Sequence, residues 1–524
     1  MRILLPHLLR EMSDRRGDAP ALTVKRQTLG YRELAAAVDA FASGLRGLGI
    51  GRGDRVAVYL EKRIETVVAL FGTSAAAAVF VPINPLLRPR QVAHILEDSG
   101  ARLLVTTTPR LELLGPELER CPALEHVVVV GEGTPDRGTA GVTTVAWDAL
   151  DACASPSPPD LHGVVDNDMA AILYTSGSTG SPKGVVLSHR NLVAGAESVS
   201  HYLHLGTDDV ILAALPLSFD AGFSQLSTAF TAGAHAVLVD YLLPGDVVRA
   251  CAEHGVTGLT CVPPLWIQLA EQTWPPEARA SMRYIANTGG RMPVATLGLL
   301  RSLFPEARPY LMYGLTEAFR STYLDPSEVD RRPDSIGKAI PNAEILVVRK
   351  DGSLCDPDEE GELVHRGPLV ALGYWNDPAR TAERFRPPPA QPDGLHSHEV
   401  AVWSGDLVRR DAEGFLYFVG RADEMIKTSG YRVSPTEVEE VVYGTGLVRD
   451  AVAVGLDDDR LGQHIVLLVS PRIGEAVDEE QLLQQLRHEL PRYMVPQRIV
   501  VRDELTRSPN GKFDRVSMRR ELEP

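Results

Sequence analysis

One feature constrains the fold of this chain more than any other: short β-branched runs alternate with helical stretches, first within residues 1–165 and again from residue 209 to about 307. Such a βαβ alternation predicts an α/β fold, in which parallel-rich sheets are covered by helices. The expected strands are 56–60, 79–81, 103–105, 210–215, 236–240 and 258–262, and the clearest helices are 31–49 and 88–100.

The pattern changes in the C-terminal third of the 524 residues. From 335 to 418, short strands and turns replace the helices, which predicts a small β-rich subdomain. A charged cluster then precedes a tail of typical domain size. We therefore expect a large N-terminal domain, 1–421, and a small, mobile α+β C-terminal domain, 422–524.

Charge and composition exclude several classes of protein. The net charge of -16 makes nucleic acid an improbable partner, because an acidic surface repels phosphate backbones. The five cysteines lack the spacing of a metal site or a disulfide scaffold, which favours a reducing compartment. The N-terminus lacks the long apolar core and cleavage site of a signal peptide. A soluble, cytoplasmic protein is the expectation.

One uncharged stretch, 66–87, is long enough in principle for a bilayer span of ~20 residues. It is rich in small residues, and prolines interrupt its end. A buried helix followed by a strand is the better interpretation, so no membrane span is expected.

The sharpest local signal is the sequence YTSGSTGSPKG at 174–184, between strand-like runs at 170–173 and 185–187. Glycines allow close backbone approach, hydroxyls donate hydrogen bonds and a lysine adds positive charge, a combination that suits a polyphosphate. A strand, not a helix, follows the loop, which disfavours a P-loop NTPase. The alternative is a flexible surface hairpin. The candidate phosphate ligands are Thr175, Ser176, Gly177, Ser178, Thr179 and Lys183.

The loop resembles the phosphate-binding signature of the AMP-forming adenylating superfamily, which comprises acyl-CoA synthetases, nonribosomal peptide synthetase adenylation domains and beetle luciferases. Further signatures follow in the family's order along almost the whole chain, and one match alone would be weak. They are 287–290, 313–317, 361–363, 404–406, 420–423 through 427–431, and 509–512. The resemblance implies that MgATP and a carboxylic acid form an acyl-adenylate, from which a thiol then displaces AMP.

On the nucleotide side, the resemblance implies that Glu317 holds Mg²⁺ while Thr316 bonds phosphate, a task that suits a carboxylate. Without the resemblance, Glu317 would be interpreted as a solvent-exposed acid in a turn. Asp406 would be interpreted as a side chain that stabilises a turn at its Gly-Asp step. By resemblance, Asp406 and Arg421 bind the ribose, and the segment 287–290 lines the adenine pocket. The full set of nucleotide-binding residues implied in this way, beyond the loop, is Thr288, Gly289, Gly290, Tyr313, Gly314, Asp406, Arg421 and Lys512.

Two residues of the C-terminal segment have implied roles. Lys512 alone would be a solvated surface lysine. Its family counterpart stabilises the charge that develops between the carboxylate oxygen and the α-phosphorus. Asp423 matches the hinge about which the small domain rotates after adenylation. Its alternative is a helix cap or a partner of Arg421.

The acid pocket depends on Asp220, the only charged residue between Asp209 and Asp240. An unpaired buried carboxylate is costly, so Asp220 either caps a helix through 225–231 or pairs with a substrate ammonium. Amino-acid-activating members of the superfamily carry Phe-Asp here. Ala-Gly follows in place of Ala-Ser, which makes a β-amino acid as plausible as an α-amino acid.

Further residues are expected around the acid. Phe319 would limit the depth of the pocket, and Arg320 would bind a second carboxylate or pair with a neighbouring acid. The whole expected set is Phe219, Asp220, Gly222, Thr288, Gly314, Phe319 and Arg320.

The chain shows no phosphopantetheine attachment motif, so the thiol is expected from a free-standing acyl carrier protein or from coenzyme A. We expect a ligase that loads an amino acid, with a β-amine favoured, onto a carrier protein. The alternative within the class is an acyl-CoA synthetase for a fatty or aryl acid. A luciferase-like monooxygenase and a non-catalytic nucleotide-binding scaffold are the rivals outside it. The joint presence of Lys512, Glu317 and Asp406 argues against the scaffold.

Overall fold

The computed structural model describes residues 2–131, 141–155, 161–175, 182–389, 394, 399–421, 424–428, 431–458, 461–509 and 511–523. Within these residues, β-sheets of eight, fourteen and five strands form the frame of the molecule. Two sheets belong to the large N-terminal part and the third to the small C-terminal part. The fold is α/β, with the large and small domains that the sequence predicts.

The eight-stranded sheet confirms the first βαβ prediction. Its strands from 55 to 146 pair in parallel, and the strands on both sides of the 174–184 loop add an antiparallel end. In sheet order the strands are Gly373–Tyr374, Lys183–Ser188, Met169–Thr175, Val79–Pro82, Arg55–Val58, Leu103–Thr107, His126–Val130 and Thr143–Ala146.

Helices precede and connect these parallel strands. Tyr31–Gly47 and Pro89–Ser99 lie within two residues of the predicted bounds, and Gly100 ends the second in the left-handed conformation (φ 58°). Ile64–Ala75 and the strand Val79–Pro82 account for the uncharged stretch as a buried helix and a strand. None of the helices in the described part of the chain is both long and apolar enough to cross a membrane.

The fourteen-stranded sheet is parallel in one half and antiparallel in the other. The predicted β-rich region is therefore correct in its strands, but they continue the second βαβ sheet and do not stand apart from it. Its path runs Glu344–Val348, Glu360–Arg366, Ala401–Arg410, Leu416–Arg421, Ser335–Ala339, Thr322–Leu324, Arg308–Tyr313, Tyr284–Asn287, Gly258–Cys261, Val210–Ala213, His235–Leu238, Pro20–Val24 and Gln27–Gly30, with Phe385–Arg386 beside Ala401–Arg410.

The two large sheets share one apolar core between them. Phe223, on a helix between the sheets, lies 5.6 Å from Phe71 and 5.1 Å from Phe80 between ring centroids. That helix is therefore fixed at the centre of the domain. The remaining helices of the large domain are Pro6–Arg16, Thr108–Leu114, His189–Tyr202, Asp220–Ala232, Pro244–His254, Pro263–Ala270, Pro276–Ser281, Val294–Leu303 and Pro378–Arg384.

The small domain is an α+β unit with its own apolar core. Because residues 422 and 423 lie outside the described residues, the domain boundary at 421/422 stays a prediction. Its strands are Tyr431–Val433, Ile426–Thr428, Gly462–Ser470, Asp450–Asp458 and Arg498–Val501, and its helices are Pro435–Gly444, Glu479–Glu489 and Arg515–Leu522.

Candidate active site

The predicted phosphate loop begins and ends on two paired strands. Met169–Thr175 and Lys183–Ser188 are antiparallel, with Thr175 opposite Lys183. The Thr175 hydroxyl is buried and has no hydrogen-bond partner in the described residues, so it is available to a ligand. The predicted ligands at positions 176 to 179, Ser176, Gly177, Ser178 and Thr179, lie outside the described residues. A strand follows the loop, as the sequence predicts.

Lys183, Glu317 and Tyr374 form a tight polar cluster beside this loop. Lys183 Nζ donates to Glu317 Oε1 (2.9 Å) and to the Tyr374 hydroxyl (2.8 Å), which donates to the same carboxylate oxygen (2.7 Å). Burial opposes ionisation of Glu317, but the Lys183 ammonium and the hydrogen bonds from Lys183, Tyr374 and the backbone together outweigh burial and lower the pKa of this carboxyl. Glu317 is therefore an ionised carboxylate next to the predicted phosphate site.

This carboxylate fits a magnesium ion that is shared with phosphate. The described residues contain no cluster of three or more His, Cys, Asp or Glu side chains that could hold a metal alone. Mg²⁺ is commonly held by one or two carboxylates together with substrate phosphates and water. Glu317 would hold the ion, which when bound supplies positive charge against the phosphate oxygens.

Tyr374 was not among the predicted site residues. It lies on the two-residue strand Gly373–Tyr374, which pairs with Val185 and Val186 directly after the loop. The pairing places its hydroxyl on Lys183 although 191 residues separate them. Only the sheet topology reveals this contact, because the chain around Tyr374 carries no local motif for it.

Asp406 lies within the strand Ala401–Arg410, so the turn-stabilising alternative for it is wrong. Tyr313 donates a 2.5 Å hydrogen bond to its Oδ2, and Arg421, its neighbour across the sheet, lies 3.6 Å from Oδ1. The structure thus brings together three residues predicted to bind nucleotide. A carboxylate held in this way suits the vicinal hydroxyls of a ribose.

Replacement of this carboxylate should weaken nucleotide binding selectively. For Asp406→Ala we expect KM for ATP to rise by about 10- to 100-fold, because hydrogen bonds to a charged group contribute about 1.5–3 kcal/mol. KM for the acid should change by less than about threefold. Steady-state kinetics with each substrate varied in turn measure both values. Tyr313→Phe, which keeps the carboxylate, should have the smaller effect, and equal rises in both constants would contradict the assignment.

The predicted adenine segment follows the strand Tyr284–Asn287. Asn287 donates from Nδ2 to the Gly290 carbonyl (2.8 Å), while its buried Oδ1 has no partner in the described residues. Gly289 has a φ of 77°, and a β-carbon there would lie 2.9 Å from Lys512 Cε. This backbone therefore offers an unused amide oxygen and space for the lysine.

Lys512 extends from the small domain into the large one. Its Nζ lies 5.1 Å from the centroid of the Phe219 ring, and its Cε lies against Gly289. Burial lowers the pKa of Lys512, while Asp220 and Asp406 raise it. The solvated-surface alternative for this residue is therefore wrong, and the ammonium lies among the predicted acid and nucleotide residues.

Asn84 and Glu440 also hold the small domain in this position, and no sequence motif predicts either contact. Asn84 donates from Nδ2 to the Pro509 carbonyl (3.0 Å), just before the lysine. Glu440 accepts from the backbone N–H of Val294 (2.9 Å) and lies 3.8 Å from Arg291. The predicted hinge residue, Asp423, lies outside the described residues.

Asp220 is the first residue of the helix Asp220–Ala232, which begins five residues before the predicted one. In the described residues its carboxylate accepts a hydrogen bond from the Thr316 hydroxyl (3.1 Å) and none from a backbone N–H of its own helix, so the capping alternative is wrong. Burial raises the pKa of Asp220, against the opposing charges of Arg320 and Lys512. The carboxylate therefore belongs to the site.

The glycines predicted for the acid pocket are places of close packing. The Pro216 carbonyl occupies the space of a side chain at Gly222, and Gly314 lies against Arg320, whose Cα would be 3.1 Å from a β-carbon there. Phe319 is wholly buried and packs its ring on Gly195. Contact of these residues with an acid stays a prediction.

Arg320 is buried with few partners. Its side chain donates from Nη1 to the Thr288 hydroxyl (2.7 Å), and its Nε has no hydrogen-bond partner in the described residues. No carboxylate in the described part of the chain lies within ion-pair distance of it. The alternative in which Arg320 pairs with a neighbouring acid therefore finds no support there.

Comparison with known proteins places this geometry in a family. Residues 9–375 match the family model of the AMP-binding enzyme, and residues 437–512 match that of the AMP-binding enzyme C-terminal domain. The chain belongs to the AMP-binding enzyme family. It is accordingly an AMP-forming acid–thiol ligase that uses ATP and Mg²⁺.

Relatives with both kinds of thiol acceptor are similar to this enzyme. It is 31% identical to the long-chain-fatty-acid–CoA ligase of Salmonella typhimurium, over 99% of this chain and 94% of that protein. It is 33% identical to the L-proline–[L-prolyl-carrier protein] ligase of Streptomyces coelicolor, over 97% and 94%. The structure of o-succinylbenzoate CoA synthetase from Bacillus subtilis with its acyl-adenylate matches with a TM-score of 0.81 at 27% identity, over 99% and 98% of the two chains.

Proposed function

We propose that the enzyme activates an amino acid, with a β-amine favoured, and transfers the acyl group to the phosphopantetheine thiol of a carrier protein. The observation that supports the amino acid is Asp220. Among the described residues this buried carboxylate accepts one hydrogen bond, from the neutral Thr316 hydroxyl, and no cation lies within ion-pair distance of it. Burial of a carboxylate is costly without a charged partner, and a substrate ammonium would supply one.

The position of Asp220 relative to Lys512 supports the same substrate. Each of the two charged groups shifts the pKa of the other, so they lie within electrostatic range. An amino acid between them would direct its carboxylate to Lys512 and its ammonium to Asp220. A β-carbon at Gly222 would lie 1.9 Å from the Pro216 carbonyl oxygen, so the Ala-Ser of the α-amino-acid pattern does not fit this backbone, which supports a β-amine.

In this proposal, catalysis depends on positioning and on charge neutralisation, without a protein nucleophile. The substrate carboxylate attacks the α-phosphorus of ATP while Lys512 stabilises the negative charge. Asp406 and Arg421 orient the ribose, and Lys183 neutralises phosphate. Pyrophosphate leaves, and the adenylate stays bound.

The second step requires a rotation of the small domain about the predicted hinge at Asp423. Rotation would break the Asn84–Pro509 hydrogen bond and withdraw Lys512 from the cleft. The thiol then attacks the adenylate carbonyl and AMP leaves. The competing proposal is an acyl-CoA synthetase for a fatty or aryl acid, which is favoured by the similarity to the Salmonella ligase.

Selectivity for the amine should depend on the charge of Asp220. For Asp220→Asn we expect KM for an amino acid to rise by about 10- to 100-fold, because a charge-assisted hydrogen bond is lost. KM for the desamino analogue should change by less than about threefold. ATP–pyrophosphate exchange across α-amino, β-amino and plain carboxylic acids measures this difference.

A neighbouring variant controls for packing. Ser218→Ala removes a buried hydroxyl that has no hydrogen-bond partner in the described residues, and it should leave the amine selectivity unchanged. If Asp220→Asn raises KM for amino acids and for their desamino analogues alike, the amino-acid proposal is refuted.

The thiol acceptor needs a separate experiment. Mass spectrometry of holo carrier protein and of coenzyme A after reaction identifies the acceptor, and acylation of coenzyme A alone would favour the competing proposal.

A further inference from the structure

We propose that Arg320 binds a second anionic group of the acid, so that the substrate class is the amino dicarboxylic acids. This inference rests on the proposed function for the ammonium, but the second carboxylate follows from a separate observation. That observation is a buried guanidinium with no carboxylate within ion-pair distance among the described residues.

The hydrogen-bonding of Arg320 is incomplete. A guanidinium has five N–H donors and pairs with carboxylates through two parallel hydrogen bonds. Arg320 is 2% exposed, yet its one hydrogen-bond partner among the described side chains is the Thr288 hydroxyl, and its buried Nε has none. A buried guanidinium whose N–H donors lack acceptors is unfavourable unless a ligand accepts hydrogen bonds from them.

Another buried arginine of the same chain shows the difference. Arg332 is 7% exposed, and three carboxylates surround it: Glu328 at 2.5 Å, Asp411 at 3.5 Å and Glu413. Carboxylate side chains of the fold therefore neutralise the buried Arg332. No carboxylate of the described residues lies within ion-pair distance of Arg320.

Arg320 lies among the residues predicted to surround the acid. It lies against Gly314, and it bonds Thr288 at the start of the adenine segment. Its charge lowers the pKa of both Asp220 and Lys512, so the three groups act on one another electrostatically. Lys512, Asp220 and Arg320 together carry one net positive charge.

Charge complementarity selects the ligand. An acid with two carboxylates and one ammonium carries one net negative charge and matches all three groups: a carboxylate at Lys512, the ammonium at Asp220 and the second carboxylate at Arg320. A neutral amino acid would leave Arg320 without a counterion. The α-phosphate of a bound nucleotide would be the alternative anion for Arg320, and the experiment separates the two sources.

The test is ATP–pyrophosphate exchange by the full-length enzyme with matched acids. The acids are aspartate and glutamate, both monoamides of each (isoasparagine and asparagine, isoglutamine and glutamine), and the desamino acids succinate and glutarate. Both monoamides are needed because only the one that keeps the reacting carboxylate tests the contact with Arg320. We expect the wild type to favour a dicarboxylic acid over its monoamide by at least about 100-fold in kcat/KM, because the amide leaves the buried guanidinium unpaired. Arg320→Gln should remove most of this preference, and Arg320→Lys should restore part of it.

The ratio of kcat/KM for a dicarboxylic acid to that for its monoamide is measured on the wild-type enzyme. It therefore tests the proposal even if the Arg320 variants fail to fold. A wild-type enzyme that uses monoamides as well as dicarboxylic acids would overturn it, as would one that activates no dicarboxylic acid. An Arg320→Gln enzyme that loses activity equally with every acid and has a raised KM for ATP would also overturn the proposal, because the anion bound by Arg320 would then be phosphate. If the enzyme uses succinate or glutarate in place of the amino acids, and this use depends on Arg320, the proposed pairing of a substrate ammonium with Asp220 is refuted while the role of Arg320 stands.

Discussion

The Lys512→Ala enzyme is expected to lose adenylate formation by about 10²- to 10³-fold, the usual effect of removing one preorganised charge-stabilising donor. The ammonium lies beside Phe219 and Gly289 in the described arrangement, where it would face the reacting carboxylate. It is withdrawn in the proposed second step. Thiol transfer from a preformed adenylate should therefore proceed at nearly the wild-type rate. Pyrophosphate exchange measures the first step, and single-turnover transfer from a synthetic adenylate measures the second.

A charge-matched control and a pH profile sharpen this prediction. Arg520→Ala removes an exposed positive charge from the same domain and should leave both steps intact. Because burial lowers the pKa of Lys512, adenylation should decline as pH rises through a pKa below the ordinary lysine value, where the ammonium loses its proton. Thiol transfer should not follow that decline. Equal losses of both steps in Lys512→Ala would contradict the assigned role.

The Glu317→Gln enzyme is expected to show the second large effect, a loss of about 100-fold or more in adenylation. The change removes the carboxylate that would hold Mg²⁺ and leaves the Lys183 ammonium without its ion-pair partner. The Mg²⁺ concentration for half-maximal pyrophosphate exchange should rise at least tenfold, an estimate based on one lost charge-assisted contact of about 1.5–3 kcal/mol. A magnesium titration of the exchange rate measures this shift.

Tyr374→Phe is the matched control for this cluster, because it removes one hydrogen bond to the carboxylate and keeps the charge. We expect a loss of about tenfold or less, consistent with one hydrogen bond to a charged group. A Glu317→Gln enzyme with an unchanged magnesium midpoint would show that the carboxylate does not hold the ion. Thermal unfolding of both variants separates loss of the ion from loss of the fold.

The elements that depend on local pattern were predictable. The strands 56–60 and 79–81 and the helix 31–49 have short-range periodicity, and the structure shows each within about two residues of the prediction. Contacts between distant segments were not. Tyr374 and Asn84 act through partners 191 and 425 residues away, and nothing in their surrounding sequence encodes those partners.

The site residues also divide into those that motifs predict and those that depend on contacts between distant segments. Asp406 and Tyr313 were predicted from motifs, and they are in contact. For Asp220 the sequence left two alternatives, because Ala221 and Gly222 give no clear helix start: glycine has a low helix propensity. In the structure the helix begins at Asp220, and its carboxylate accepts a hydrogen bond from Thr316, 96 residues away. That tertiary contact excludes the cap, whereas pairing with a substrate ammonium stays a prediction.

The roles of Lys512 and Asp220 can be observed together in a crystal structure with a non-hydrolysable sulfamoyl analogue of the aminoacyl-adenylate. We expect the Lys512 ammonium within hydrogen-bond distance of the sulfamoyl group and the ligand ammonium on the Asp220 carboxylate. A complex in which the small domain keeps the orientation described, yet Lys512 faces bulk solvent and Asp220 contacts Thr316 alone, would contradict both roles.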